Sequence, residues 1–203
     1  MGGRSNEISD ELLEKLGSLA DKGFADAAQG FSQMIGEKLT VKSPDVSKIH
    51  LNDLYDILGG AENDAVGIYL RFEGELKGQV MMVIPYKQAM GIADLLMQRP
   101  NGTTTELGDM ERSALAEVGN LTGSFFLNAI AEITGVSSHP TPPAVMIDMV
   151  ASILDVVIAT MGDIGDEVLM FRTTFVRGDR SAKTDFWVIP DMVTLKKLSS
   201  DKR

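Results

Sequence analysis

Apolar residues recur along this chain with two periods, helical and alternating, and the order in which the periods follow one another occurs twice. From about Ser9 to Ile35, Leu12, Leu16, Leu19, Gly23, Ala27, Gly30 and Met34 keep the helical repeat, and Gly36 stands where a helix end takes a left-handed residue. Leu39 and Val41 then alternate with Thr40 and Lys42, which predicts a strand over about Lys38–Val46 that Pro44 bends or confines to an edge. A short helix follows, running to Leu58 and stopped by Gly59 and Gly60. Next come a hairpin of Asp64–Phe72 and Leu76–Ile84 that turns at Glu73–Gly74–Glu75, and a helix with Pro85 as its first residue that runs to about Gln98. Arg99–Thr103, with Pro100, Asn101 and Gly102, reads as a linker.

The second half repeats this order. A helix over 109–134 stops at Gly135, strand material with Pro140, Pro142 and Pro143 covers 136–147, and a helix over 148–161 stops at Gly162. A hairpin of 167–176 and 182–189 follows, and Pro190 opens a last short helix to about Leu198. Gly162–Asp166 reads as a helix stop and turn. Residues repeat as well as periods: Ser32–Gly36 stands 99 positions before Ala131–Gly135, and Pro44–Asp45–Val46 stands 99 before Pro143–Ala144–Val145. The expected organisation is a flexible lead (1–8), a first pseudo-repeat (9–99), a linker (100–108) and a second pseudo-repeat (109–199). Two copies are too few for a solenoid, so they predict one pseudo-two-fold α/β (α+β) domain: a β-sheet carrying two long helices.

The second long helix is the more informative. With Leu115 set to 0° on a helical wheel, Val118, Thr122, Phe126, Ala129, Ile130 and Ile133 lie within about 60° of it, whereas Ser113, Glu117, Asn120 and Ser124 lie between about 140° and 200°. The helix therefore has an apolar back and a narrow polar front. On the wheel alone, a Glu and an Asn there read as solvated surface residues rather than as chemistry. The offset of 99 carries Ser113, Glu117 and Asn120 onto Glu14, Ser18 and Asp21. The first helix keeps a polar front but lacks the pair, because Ser18 holds no fixed charge and Asp21 has only acceptors where Asn120 also donates. Gly119 and Gly123 read as packing residues that let another segment come close.

Composition narrows the functions open to the chain. Its 203 residues suffice for a hydrophobic core without staples, and a formal net charge of −10 argues against nucleic acid or an anionic membrane as the main partner. With no cysteine there is no thiolate chemistry and no Cys-bound zinc; His50 and His139, the two histidines, lack the spacing of a metal site and read as loop residues. No apolar segment of membrane-spanning or signal-peptide length occurs, so a cytoplasmic protein is expected. Phosphate loops, nucleophile elbows and dinucleotide fingerprints are absent.

Ser113, Glu117 and Asn120, followed after 22 residues by Pro143, together with the flanking GNLTGSFF and PPAVMIDM, resemble the CheC-type phosphatases of chemotaxis, a family related to CheX and FliY. The likeness extends from about Asp10 to Leu198, and the distal proline turns the reading of the polar front from surface to site. The resemblance implies hydrolysis of the aspartyl phosphate on a CheY-like response regulator. Asn120 would orient the attacking water and Glu117 anchor the regulator, while Ser113 and Pro143 would support the patch. Glu14, Ser18 and Asp21 would form a degenerate first site. It further implies no metal or cofactor in this chain, Mg²⁺ residing on the regulator, and the deamidase CheD as a further type of partner. The alternative on the same scaffold is a non-catalytic adaptor that binds a response regulator or CheD.

Overall fold

Alternation along the central strands decides the architecture. In a computed structural model, which describes residues 10–161, 167–178 and 180–190, Val66, Ile68, Leu70 and Phe72 point to one side of a sheet, with Val80, Met82, Ile84, Leu169 and Phe171. Ala65, Met81, Val83, Val168, Met170 and Trp187 point to the other. A sheet apolar on both faces needs cover on both. The first face is covered by α1 (Asp10–Ile35), α3 (Tyr86–Leu96) and α4 (Asp109–Thr134), the second by α2 (Asp53–Ile57) and α5 (Val150–Met161). Mixed α/β architecture is thus as the sequence predicts.

The strands are β1 (Thr40–His50), β2 (Asp64–Gly74), β3 (Gly78–Pro85), β4 (Ser138–Pro140), β5 (Ala144–Met149), β6 (Glu167–Arg177) and β7 (Arg180–Pro190). Their order is β1-β6-β7-β3-β2-β4, with β5 also on β2, and every pairing is antiparallel. Each hairpin is flanked by strand material from the opposite half of the chain: β1 lies on β6, and β4 and β5 lie on β2. Neither half can therefore complete its sheet alone.

Several sequence expectations shift. β1 extends to His50, beyond the predicted end, with a register shift between Lys42 and Asp45 around Pro44. Pro85 is the cap before α3 and not its first residue, since its ψ of 134° is extended. His50 ends β1 and His139 lies within β4, so both histidines are on strands, and both are exposed. Gly36 and Gly135 close α1 and α4 at φ of 69° and 67°. The lead, the turn at 162–166 and the last helix fall outside the described residues. No described helix is long and apolar enough to cross a membrane.

The largest departure is the presumed linker, which is a tightly held corner. Asp94 is fully buried at the end of α3, and its carboxylate accepts the N–H groups of Gly102 (2.8 Å), Thr103 (3.1 Å) and Thr104 (2.9 Å). Burial pushes its carboxyl up, but the Thr104 side chain and these N–H groups outweigh that and hold it below the usual carboxylate range. Gln98, at a left-handed φ of 57°, reaches the Ile35 carbonyl at the end of α1. One loop thus fixes where α4 begins relative to α1 and α3.

A Cβ at Gly119 would lie 2.5 Å from Ile68 Cγ2, whereas one at Gly17 meets nothing within 4 Å. Gly119→Ala should therefore cost about 1–3 kcal/mol in urea unfolding while Gly17→Ala stabilises by about 0.5–1 kcal/mol, as helix propensity dictates. For the corner, Asp94→Asn should cost about 2–3 kcal/mol at pH 7, because charge-assisted bonds are lost. Asp94's folded pKa lies below its unfolded value, so its contribution is complete above about pH 4 and is lost as pH falls through the folded value. The gap between wild type and variant, read from urea midpoints at pH 7 down to pH 3, should narrow with acid.

Candidate functional site

The polar front of α4 is held in position by the back of the same helix. Leu115, Val118, Phe126, Leu127 and Ile130 are buried, and the Phe126 ring meets Phe72 of β2 at 6.3 Å and Phe171 of β6 at 5.5 Å, both in the inclined geometries aromatic rings favour. Along the side nearest β2 the contact is backbone. Gly119 lies over Ile68 and Gly123 over Leu70, where any Cβ would overlap. The packing role read for both glycines is thus observed. Gly23 and Gly30 of α1 lie against Phe125 and Leu121 of α4, so the two long helices also meet closely.

Pro143 reaches the site through an interruption in a strand. β4 pairs with Phe72–Gly74 and β5 with Asp64–Tyr69 of β2, leaving Leu70 and Arg71 between them. Pro142 and Pro143 have no N–H to give a ladder. Thr141 spans the gap instead: its N–H donates to the Arg71 carbonyl (2.8 Å) and its hydroxyl accepts from the Arg71 N–H (3.0 Å). The strand break sets Pro143 Cβ 3.5 Å from the position a Gly119 Cβ would occupy. Glu117 and Asn120, on either side of Gly119, are half-buried, Ser113 is exposed one turn earlier, and Pro143 is half-buried beside them. The helix rises about 4.5 Å between Glu117 and Asn120, so a carboxylate and a carboxamide flank the point where α4 is fastened to β2 and the proline loop.

The first turn of α4 is fixed too, by residues the sequence reading passed over. Glu111 is buried and pairs with Arg99 at 2.6 Å, and Arg99 also reaches the Thr104 hydroxyl at 3.3 Å. The Arg99 guanidinium and the N–H groups of the helix start hold the Glu111 carboxyl below the usual carboxylate range. Arg112 donates from Nε to the Leu107 carbonyl (3.2 Å), and the Leu107 N–H donates to the Tyr86 hydroxyl (3.3 Å). A Pro-Asn-Gly linker followed by a helix gives no pattern that points to these bonds.

On α1, Glu14, Ser18 and Asp21 are all exposed, and the Ser18 hydroxyl donates to the Glu14 carbonyl of its own helix (3.2 Å). Ala20 and Phe24, both buried, stand 99 positions before Gly119 and Gly123. Side chains are thus packed in α1 where α4 offers bare backbone. Lys22 beside this front bonds Glu132 of α4 at 2.7 Å, and that partner raises its pKa above the ordinary value. Among the described residues no three His, Asp or Glu side chains converge on a possible metal position.

Residues 110–147, which hold Ser113, Glu117, Asn120 and Pro143, match the sequence model of the CheC-like family. Over 197 residues, 95% of this chain and 94% of the relative, the sequence is 26% identical to the CheY-P phosphatase CheC of Bacillus subtilis. In fold it is similar to Thermotoga maritima FliY, with a TM-score of 0.71 at 19% identity over 94% of this chain and 95% of that one. It is also similar to the FliM middle domain from H. pylori, with a TM-score of 0.69 at 12% identity over 94% and 98%. The resemblance read from four residues and their spacing thus extends over the length of the chain, which is similar to the CheC-type proteins.

Proposed function

We propose that the chain is a phosphatase of the aspartyl phosphate on a CheY-like response regulator, working at the front of α4. The observation that carries this reading is the half-buried pair Glu117 and Asn120, fastened to β2 through Gly119 and lying inside the segment that matches the CheC-like family. The Bacillus subtilis relative, a CheY-P phosphatase, supports the substrate class.

The chemistry asks little of this chain. An acyl phosphate is already activated, and the regulator brings its own Mg²⁺; what is missing is an aligned water. The Asn120 carboxamide oxygen accepts a hydrogen bond from that water while its NH₂ donates to a phosphoryl oxygen, setting the water in line with the bond to be broken. Water oxygen bonds to phosphorus, the bond from phosphorus to the aspartyl oxygen breaks, and the products are inorganic phosphate and the free carboxylate. Glu117 pairs with a regulator lysine, Ser113 supports the edge of the patch, and Pro143 shapes the loop beside it. Glu14, Ser18 and Asp21 lack both the anchor and the two-way amide, so one working site is proposed.

A second reading is an adaptor that binds a regulator or CheD without catalysis. It is favoured by α5, which is apolar nearly all round and exposes Val156 and Ile158 beside a single carboxylate at Asp155. A helix of that kind ordinarily has a partner on its outer face.

The test is loss of phosphate from the phosphorylated regulator with and without the protein. Wild type should accelerate it. Asn120→Ala should return the rate to the unassisted one, a loss of about 100-fold or more at saturation, with an unchanged urea midpoint. Glu117→Ala should mainly raise the half-saturating concentration, and Asp21→Ala should change neither quantity. An Asn120→Ala protein as fast as wild type would rule the site out, and regulator binding without any acceleration would favour the adaptor.

A further inference from the structure

The most exposed large apolar side chain among the described residues is Met110, at 67%, and it stands on the same front of α4. On the wheel that sets Leu115 at 0°, Met110 falls at about 220°, against about 160° for Ser113 and 200° for Glu117. It precedes Glu117 by seven residues, or about 10 Å of helix.

The turn that carries it is rigid. Glu111 is held by Arg99 and Arg112 by the Leu107 carbonyl. The preceding loop is clamped on Asp94. Glu111 and Arg112 beside it have partners within the fold, whereas Met110 is turned to solvent. A rigid, exposed apolar side chain beside a polar patch loses little conformational freedom when a partner covers it, which is how single residues come to dominate an interface. Exposure also means that the fold itself depends little on this side chain.

We propose that Met110 is a docking and specificity residue for the phosphorylated response regulator. It extends the contact one helical turn beyond Ser113 and inserts into an apolar depression on the regulator, about 10 Å from the lysine that pairs with Glu117. The occupant follows from continuity with the α4 front, so the inference rests on the function proposed above. Two anchors of unlike chemistry on one rigid helix raise the affinity for the regulator, while Asn120 alone acts on the phosphoryl group.

Met110→Ser and Met110→Leu, compared in regulator dephosphorylation over a range of protein concentration, test this. Met110→Ser should raise the half-saturating concentration about tenfold with the limiting rate unchanged, Met110→Leu should stay near wild type, and both should keep the wild-type urea midpoint. An unchanged half-saturating concentration for Met110→Ser, alongside an inactive Asn120→Ala, would overturn the Met110 inference and leave the site standing. Should Asn120→Ala be fully active, the site reading fails. A direct binding titration with regulator activated by beryllofluoride then decides for Met110 independently: weaker binding by Met110→Ser sustains the contact and unchanged binding ends it. If sedimentation shows a dimer that Met110→Ser dissociates while the kinetics are unaltered, Met110 contacts a second copy and the proposal is wrong.

Discussion

The arrangement of this fold depends on the close approach of α4 to β2. Gly119 and Gly123 bring helix backbone onto Ile68 and Leu70, at separations where an added Cβ would force those side chains to shift. Because the contact is backbone on one side, the helix has little room to slide or roll, and the residues flanking it inherit that restriction. Glu117 and Asn120 are those residues. A carboxamide that must hold a water in line gains from such restraint, since orientation is the whole of its contribution.

The restraint is assembled from elements far apart in sequence. Pro142 and Pro143 break the ladder on β2, Thr141 replaces the missing bonds with its own N–H and hydroxyl on Arg71, and the break delivers Pro143 to Gly119. At the other end of the site, Asp94 and the Arg99 to Glu111 pair fix the first turn of α4. The buried carboxylates stabilise because each has donors directed at it; Asp94 in particular offsets its burial by accepting three N–H groups.

Much of this was legible in the sequence where period and punctuation speak together. The two 26-residue helices, their closing glycines and both hairpins follow from helical and alternating patterns bounded by Gly and Pro. The polar front followed from the wheel, and the packing role of Gly119 and Gly123 from their lack of a side chain. What escaped was chemistry without a period. Asp94 looks like any polar residue of an amphipathic helix, and its acceptors meet N–H groups 8 to 10 residues later, in a stretch whose Pro-Asn-Gly composition reads as slack. The far end of β1 escaped for the opposite reason. Ser47–His50 is mostly polar because β1 ends the sheet, and pairing with β6 alone defines it as a strand.

The two long helices have the same length and the same closing glycine geometry, yet they differ at the positions that matter. Where α4 has Gly119 and Gly123, the 99-residue offset gives α1 Ala20 and Phe24, and where α4 has Glu117 and Asn120 it gives Ser18 and Asp21. These are two differences of distinct kind, one in the groups that would do chemistry and one in how the helix is seated. They reinforce each other. On α1 the front residues are exposed and the Ser18 hydroxyl is turned back on its own helix; on α4 the corresponding pair is half-buried, and Gly119 between them meets Pro143. An exposed side chain visits many rotamers, and a half-buried one visits fewer. Changing the two polar residues of α1 would therefore alter its chemistry and leave its seating on the sheet as it is.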